Sequence, residues 1–317
     1  MRNVFKTAYL TIFVFTILMI CASINNSIAK TKLGHKYYSN QSDIRSSSNK
    51  ILTANIEHMG FNVKNPVAVA EWYIKNLGMK LVRKGTAPLF VTFISDKGNH
   101  MMMEFYNKEK FPKLDFSTIN YMSFHFAFMV DSINTVEKRL LKNGATLVEG
   151  ISQTPAGDKV LMLRDPWGMP LQLVERIEPM LKFTNIRPEH FATNTPDAQA
   201  KANWYSENLG MKIFRQGGAP DFGSFVSDSE NDMMLEIYQK KNYPMLDYKV
   251  ISPVSIHLAF KVNNVELVKE KLVAAGADLV DDIAKSKSGD KVLVLRDPWG
   301  FPIQFIQRVI QLNGKTK

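Results

Sequence analysis

The stretch LRDPWGMPLQLVER, ending at Arg176, returns as LRDPWGFPIQFIQR, ending at Arg308. Repetition over so long a stretch constrains the fold more than any composition does, because a duplicated sequence builds the same supersecondary unit twice. The rest of the chain agrees. EWYIKNLGMKLVR from Glu71 matches NWYSENLGMKIFR from Asn203, MMMEFYNK matches MMLEIYQK, and SFHFAF matches SIHLAF. His58 and His190, Glu104 and Glu236, His125 and His257, and Gln172 and Gln304 are each separated by 132 residues. Two domains follow, 53–180 and 185–312.

Each domain carries a second, fainter order. A strand over Asn55–Val63 leads into a helix from Pro66 to Leu77, which Gly78 closes. Apolar runs at Lys80–Arg83, Leu89–Ser95 and Met101–Tyr106 follow, bounded by turn-forming residues. The pattern restarts at Ser123 with the strand SFHFAFMV, the helix SINTVEKRLLKNGA and strands near Leu147, Val160 and Leu171. The predicted class is α+β: two tandem domains, each a pair of βαβββ modules whose mixed sheet curves into a cup. Either the modules of one domain share a cup, or modules of different domains do. A single chain of this kind is expected as a monomer whose domains mimic a dimer.

The N-terminus has a different character. Arg2 and Lys6 precede the apolar stretch AYLTIFVFTILMICASI, and small residues end at Ala29, so 1–29 has the form of a signal peptide and 30–52 that of a polar, flexible linker. Export, with a periplasmic destination, is the expectation; an uncleaved anchor or lipid attachment at Cys21 are the alternatives. Cleavage after Ala29 leaves no cysteine, which excludes disulfides and thiol chemistry from the mature protein. No membrane span is expected once the signal is removed. The net charge of +10 is dispersed along the chain, with no basic helix and no aromatics interleaved with basic residues, so nucleic acid is not an expected partner.

Polar residues interrupt apolar strands at matching places in both repeats. On strand alternation His58 shares a face with Ile56 and Gly60, and His125 with Ser123 and Ala127; Phe124, Phe126 and Phe128 take the opposite face. Singly, a strand histidine, glutamate or glutamine is a hydrogen-bonded core or surface residue. Together, His58, Glu104, His125 and Gln172, then His190, Glu236, His257 and Gln304, offer imidazole, carboxylate and amide donors. That set suits a divalent ion such as Fe, Mn, Ni, Co or Zn. Arg83 and Arg215, after the LGMK turns, are candidates to hold an anionic substrate. GDK at Gly157 and Gly289 is a hairpin or a loop over the cup, and Trp167 and Trp299 pack the DPWG turns.

The paired βαβββ plan, the WY…NLGMK helix end and the DPWG turn resemble the vicinal oxygen chelate superfamily, the group of glyoxalase I, extradiol dioxygenases and bleomycin resistance proteins. The resemblance runs from Asn55 to Arg308. It implies metal ligands on the first and last strands of each module, which here are the eight residues just named. One departure stands out: bacterial glyoxalase I and the dioxygenases carry a carboxylate where this chain has Gln172 and Gln304. The resemblance implies a metal-dependent lyase or isomerase acting on a small hydroxycarbonyl or dicarbonyl substrate through a metal-stabilised enediolate, with Glu104 and Glu236 as catalytic bases. An Fe(II) extradiol-type dioxygenase and a non-enzymatic small-molecule binding protein are the alternatives. Export would make glutathione an unsuitable cosubstrate.

Overall fold

The computed structural model describes residues 52–183 and 185–312. The predicted signal peptide, and the linker up to Ile51, lie outside the described residues. Among the described residues, sixteen strands and four α-helices form four βαβββ modules. The first contains β1 (Asn55–Asn62), α1 (Pro66–Leu77), β2 (Lys80–Lys84), β3 (Thr92–Ser95) and β4 (Met102–Tyr106). The second contains β5 (Phe124–Met129), α2 (Ile133–Lys142), β6 (Thr146–Gln153), β7 (Lys159–Arg164) and β8 (Pro170–Glu175). The third contains β9 (Arg187–Asn194), α3 (Ala198–Leu209), β10 (Lys212–Gln216), β11 (Ser224–Ser227) and β12 (Met234–Tyr238). The fourth contains β13 (Ile256–Lys261), α4 (Val265–Ala274), β14 (Asp278–Lys285), β15 (Lys291–Arg296) and β16 (Pro302–Gln307).

Local chemistry explains the helix ends. Asn65 caps α1 by accepting from the Ala68 amide at 3.1 Å, Pro66 starts the helix with φ already set, and Gly78 leaves it at φ 68°. Asp197 and Gly210 do the same for α3. The buried face of α1 (Val69, Ala70, Tyr73, Leu77) lies in a continuous apolar core with Phe124, Phe126 and Phe128 of β5.

The open question of module pairing is answered by the strand order. One eight-stranded sheet runs β14-β15-β16-β13-β1-β4-β3-β2, and the other runs β10-β11-β12-β9-β5-β8-β7-β6. Each sheet therefore takes one module from each sequence repeat. In the first, β1 pairs antiparallel with β13; in the second, β5 pairs antiparallel with β9. The sheet faces away from the helices form what we term cup A (modules one and four) and cup B (modules two and three).

The DPWG turns tie these layers together. Asp165 is buried and accepts the amides of Trp167 and Met169, each at 2.9 Å, and the hydroxyl of Tyr73 on α1 at 3.0 Å. Gly168 follows at φ 86°, where a side chain would be strained. Asp297, Trp299, Phe301 and Tyr205 repeat the arrangement. The tryptophan at the turn packs locally, Trp167 meeting Trp72 edge-on at 6.4 Å.

Candidate metal centres

Strand register places the polar residues in a checkerboard. In cup A, Gln304 stands opposite Ala259 and Ala259 opposite His58; in the next row His257 stands opposite Gly60 and Gly60 opposite Glu104. Cup B reads Gln172, Ala127, His190, and then His125, Ala192, Glu236. Small residues between the donors leave the space above the sheet open. The structure thus brings His58, Glu104, His257 and Gln304 together, and His125, Gln172, His190 and Glu236 together. Each set crosses the repeats.

Alternation alone does not describe the histidine strands. Ile56 pairs with Phe260 and His58 with Ala259, so Glu57 is the extra residue of a β-bulge. Glu189 occupies the same place, between Pro188 paired to Phe128 and His190 paired to Ala127. The bulge corrects one expectation: Ile56 joins Met59 and Phe61 in the helix-side core and does not share the face of His58. It also turns the glutamate toward the neighbouring imidazole. Glu57 accepts from His58 Nδ1 at 2.9 Å and receives Arg308 in a fork, Nε at 2.8 Å and Nη2 at 2.7 Å. Glu189 holds His190 at 2.9 Å and Arg176 through two contacts of 2.8 Å. Asp290 and Asp158, the aspartates of the two GDK segments, take the remaining guanidinium nitrogens.

All four histidines are fixed in this way. The Nδ1 atoms of His125 and His257 face the carbonyls of Tyr121 at 2.9 Å and Pro253 at 3.1 Å. With Nδ1–H donating outward, each Nε2 lone pair points into its cup, as second-sphere acceptors set it in metal sites. In cup B, His190 Nε2 and His125 Nε2 lie 3.2 and 3.5 Å from Glu236 Oε2. Both nitrogens are buried, and neither makes a well-directed hydrogen bond among the described residues. In cup A, Glu104 Oε2 lies 3.3 Å from His58 Nε2 and 3.7 Å from His257 Nε2, with the two nitrogens 3.4 Å apart. Donors about 2.1 Å from a common ion sit roughly 3.0 to 3.4 Å apart, so the residues fit a divalent metal. Gln304 borders the same space, a cavity of about 630 Å³.

The electrostatics follow from this crowding. Burial opposes a charged imidazole, yet bonds to Glu104 and Glu57 raise the pKa of His58 to about 9. Burial and the His58 charge push that of His257 down to about 4. The Glu104 carboxyl, despite burial, is held below its usual range by His58, and Glu236 likewise by His125 and His190. A divalent cation held between His58 and Glu104 would displace any proton shared by that pair.

Residues 55–173 match the family described as the Glyoxalase/Bleomycin resistance protein/Dioxygenase superfamily, and residues 190–306 match the Glyoxalase-like domain. The chain belongs to this superfamily. Among solved structures, a point variant of glyoxalase I from Zea mays is 17% identical with a TM-score of 0.68, covering 84% of this chain and 96% of that one. The unsubstituted Zea mays enzyme is 18% identical with a TM-score of 0.64, over 80% and 92% of the two chains. A dioxygenase-like protein of Bacillus subtilis is 13% identical with a TM-score of 0.59, over 84% and 88%. At such identities these likenesses show the fold. No curated protein matches the sequence.

The arginine candidates lie in comparable surroundings, Asp158 and Arg176 beside Arg215 being the counterparts of the Asp290 and Arg308 that border cup A. Arg83 borders cup A together with His58 and Glu104. Arg215 borders a cavity of about 480 Å³ with Asp158, Arg176 and Phe214, which none of the cup B donors lines. The bulge glutamates and the arginines that grip them escaped the sequence reading. Their signal was present in the repeated EH dipeptide (Glu57-His58, Glu189-His190) and in the arginine closing each opening motif.

Proposed function

We propose that the protein is a metal-dependent enzyme of the glyoxalase type, a lyase or isomerase for small substrates with two adjacent oxygens, hydroxycarbonyl or dicarbonyl. The observation that carries this reading is the convergence, in each cup, of two outward-locked imidazoles on one carboxylate, with an amide alongside. A divalent ion bound there would supply electrophilic polarisation of the two substrate oxygens. Glu104 in cup A and Glu236 in cup B, ionised and partly open to the cavity, are the groups to take and return a carbon-bound proton. Bonds from the Nδ1–H groups to Glu57, Glu189 and the carbonyls of Tyr121 and Pro253 hold the imidazoles in one tautomer while this happens. Gln304 and Gln172 are neutral, so each cup carries a single carboxylate as base.

The test combines Glu104→Gln with Glu236→Gln. Loss of turnover on an α-hydroxycarbonyl or dicarbonyl panel by at least about 100-fold is expected, with metal content measured in parallel. Turnover that survives in the metal-loaded double variant would remove both glutamates from the chemistry.

The two-histidine, one-carboxylate composition of each cup also favours a second reading, an Fe(II)-dependent dioxygenase, since that donor set is the one non-haem iron oxygenases use. Oxygen consumption with catechols by Fe(II)-loaded protein decides between them. We also propose export, on the N-terminal leader-like segment; a mature mass beginning after Ala29 would support it.

A further inference from the structure

The two cups offer the same donors on the same backbone. The Asn107 amide donates to the Leu89 carbonyl at 2.9 Å, and the Gln239 amide to that of Asp221 at 2.9 Å. Lys108 N and Lys240 N both donate to an asparagine side chain, Asn62 at 2.9 Å and Asn194 at 2.7 Å. Against this common frame the charges at the two rims differ.

Cup A is bordered by Arg83, Lys108 and Lys287. None of the three makes an ion pair among the described residues, and Lys108 only overhangs the Tyr106 ring at 5.4 Å. Two further acids border the cavity, Asp290, which Arg308 engages at 3.1 Å, and Asp281. Cup B has two fewer unpaired cations at these positions. Lys240 is paired with Asp221 at 2.7 Å and Pro155 stands where the other repeat has Lys287, while Arg215 lies with Asp158 and Arg176, the counterparts of the Asp290 and Arg308 that border cup A. Glu149, the counterpart of Asp281, accepts the hydroxyl of Tyr121.

Resting on the metal-cup reading above, we propose that cup A takes a substrate bearing an anionic group beside its chelating oxygens, that cup B does not, and that the Leu89/Asp221 difference sets this preference. Leu89 is 38% exposed at the rim, so its substitution need not disturb the core. An aspartate there, on the same backbone as Asp221, would claim Lys108 as Asp221 claims Lys240. Unpaired cations around a concave site recruit anions and discriminate against neutral analogues, whereas a cation already paired does so weakly.

The test is calorimetric titration of the full chain loaded with Mn(II), using two chelators with the same head: acetohydroxamate, and succinate monohydroxamate, which adds a carboxylate tail. Acetohydroxamate is expected to bind both cups with similar affinity. The carboxylate tail should tighten binding about tenfold at one cup only. Leu89→Asp should abolish that gain, Leu89→Asn, of similar shape without the charge, should keep it, and Asp221→Leu should confer a gain on the second cup. A tail gain equal in both cups, or one untouched by Leu89→Asp, would overturn the proposal while leaving the metal-cup reading intact. If neither chelator binds the Mn(II)-loaded protein better than the metal-free protein, both fall together.

Discussion

Cup A and cup B share every donor and every group that orients a donor, yet they differ at the rim and beneath one histidine. His58, His257, Glu104 and Gln304 have counterparts of identical type in His190, His125, Glu236 and Gln172, and the bulge glutamate with its arginine fork is present twice. Around them Leu89 corresponds to Asp221, Pro253 to Tyr121 and Gly60 to Ala192. The divergence lies where a side chain meets solvent or a ligand, and the sameness lies where several buried polar groups depend on one another. Changing one member of a buried network strands its partners without hydrogen bonds, whereas a rim residue can change alone.

The largest expected effect breaks that shared part. Glu57→Gln removes the carboxylate between Arg308 and His58, which are all buried or nearly so. Taking one partner from a buried ion pair costs about 3 kcal/mol or more, and loss of an orienting acceptor weakens metal binding by about 10- to 100-fold. Glu189→Gln should do the same to cup B, and equality of the two losses is the sharper expectation. Thermal unfolding with metal titration checks both; a Glu57→Gln protein that melts and binds metal like the parent would show the glutamate to be incidental. Acid should act in the same direction. Bonds from Arg308 and His58, outweighing burial, bring the Glu57 pKa down to about 2, and those from Arg176 and His190 do so for Glu189. The stabilisation is thus present above the unfolded value near 4 and disappears as pH falls through about 2.

Much of this was legible in the sequence because repetition and strand period carry it. The β-strands and the bounds of the first helix follow from Pro66, Gly78 and the alternation around Phe124, Phe126 and Phe128, and the eight donors follow from recurring polar residues in apolar strands. What was not legible depends on contacts between distant segments. Sequence spacing is indifferent to whether β1 pairs with β13 or β5, since both partners carry the same pattern. A bulge adds one residue to one strand and leaves no mark in the period, so Glu57 reads as an outward residue and Ile56 as a neighbour of His58.

A second contrast lies where β1 meets the loop between β11 and β12. The Ile56 amide donates to Asp228 Oδ2 at 3.0 Å. Its counterpart Pro188 has no N–H, and Asp96, the counterpart of Asp228, instead takes His100 Nδ1 at 2.7 Å. Where Asp96 has that histidine, Asp228 has Asp232, and burial together with its acidic neighbours pushes the Asp228 pKa up to about 7. Asp96 shifts the other way, its bond to His100 prevailing over burial. A carboxyl raised on folding binds its proton more tightly in the native state. Its ionisation therefore costs nothing below the unfolded value near 4, and the full cost is felt above about 7. Stability should fall by about 2 kcal/mol between pH 5 and pH 8 on this account, and Asp228→Asn should flatten that slope. Equal slopes for the two proteins would place the titration elsewhere.

The smallest change concerns the residue under one imidazole. A Cβ at Gly60 would come within 2.2 Å of His257 Cε1 and 2.5 Å of its Nε2, so Gly60→Ala forces the ring to swing. In cup B the same position already carries the methyl of Ala192, beneath His125, and the donor set still converges there. An imidazole can therefore sit over alanine, but it takes another pose, its Nε2 lying 3.5 Å from the carboxylate in cup B and 3.7 Å in cup A. The expected outcome is a loss of about tenfold in metal affinity at cup A, equivalent to about 1.4 kcal/mol, with cup B unaffected. Ala192→Gly, which adds space and no collision, should leave cup B within about twofold. Two-site metal titration of both variants separates the cups, and a Gly60→Ala protein with unaltered affinity at both would mean that His257 does not need the glycine's space to hold a metal.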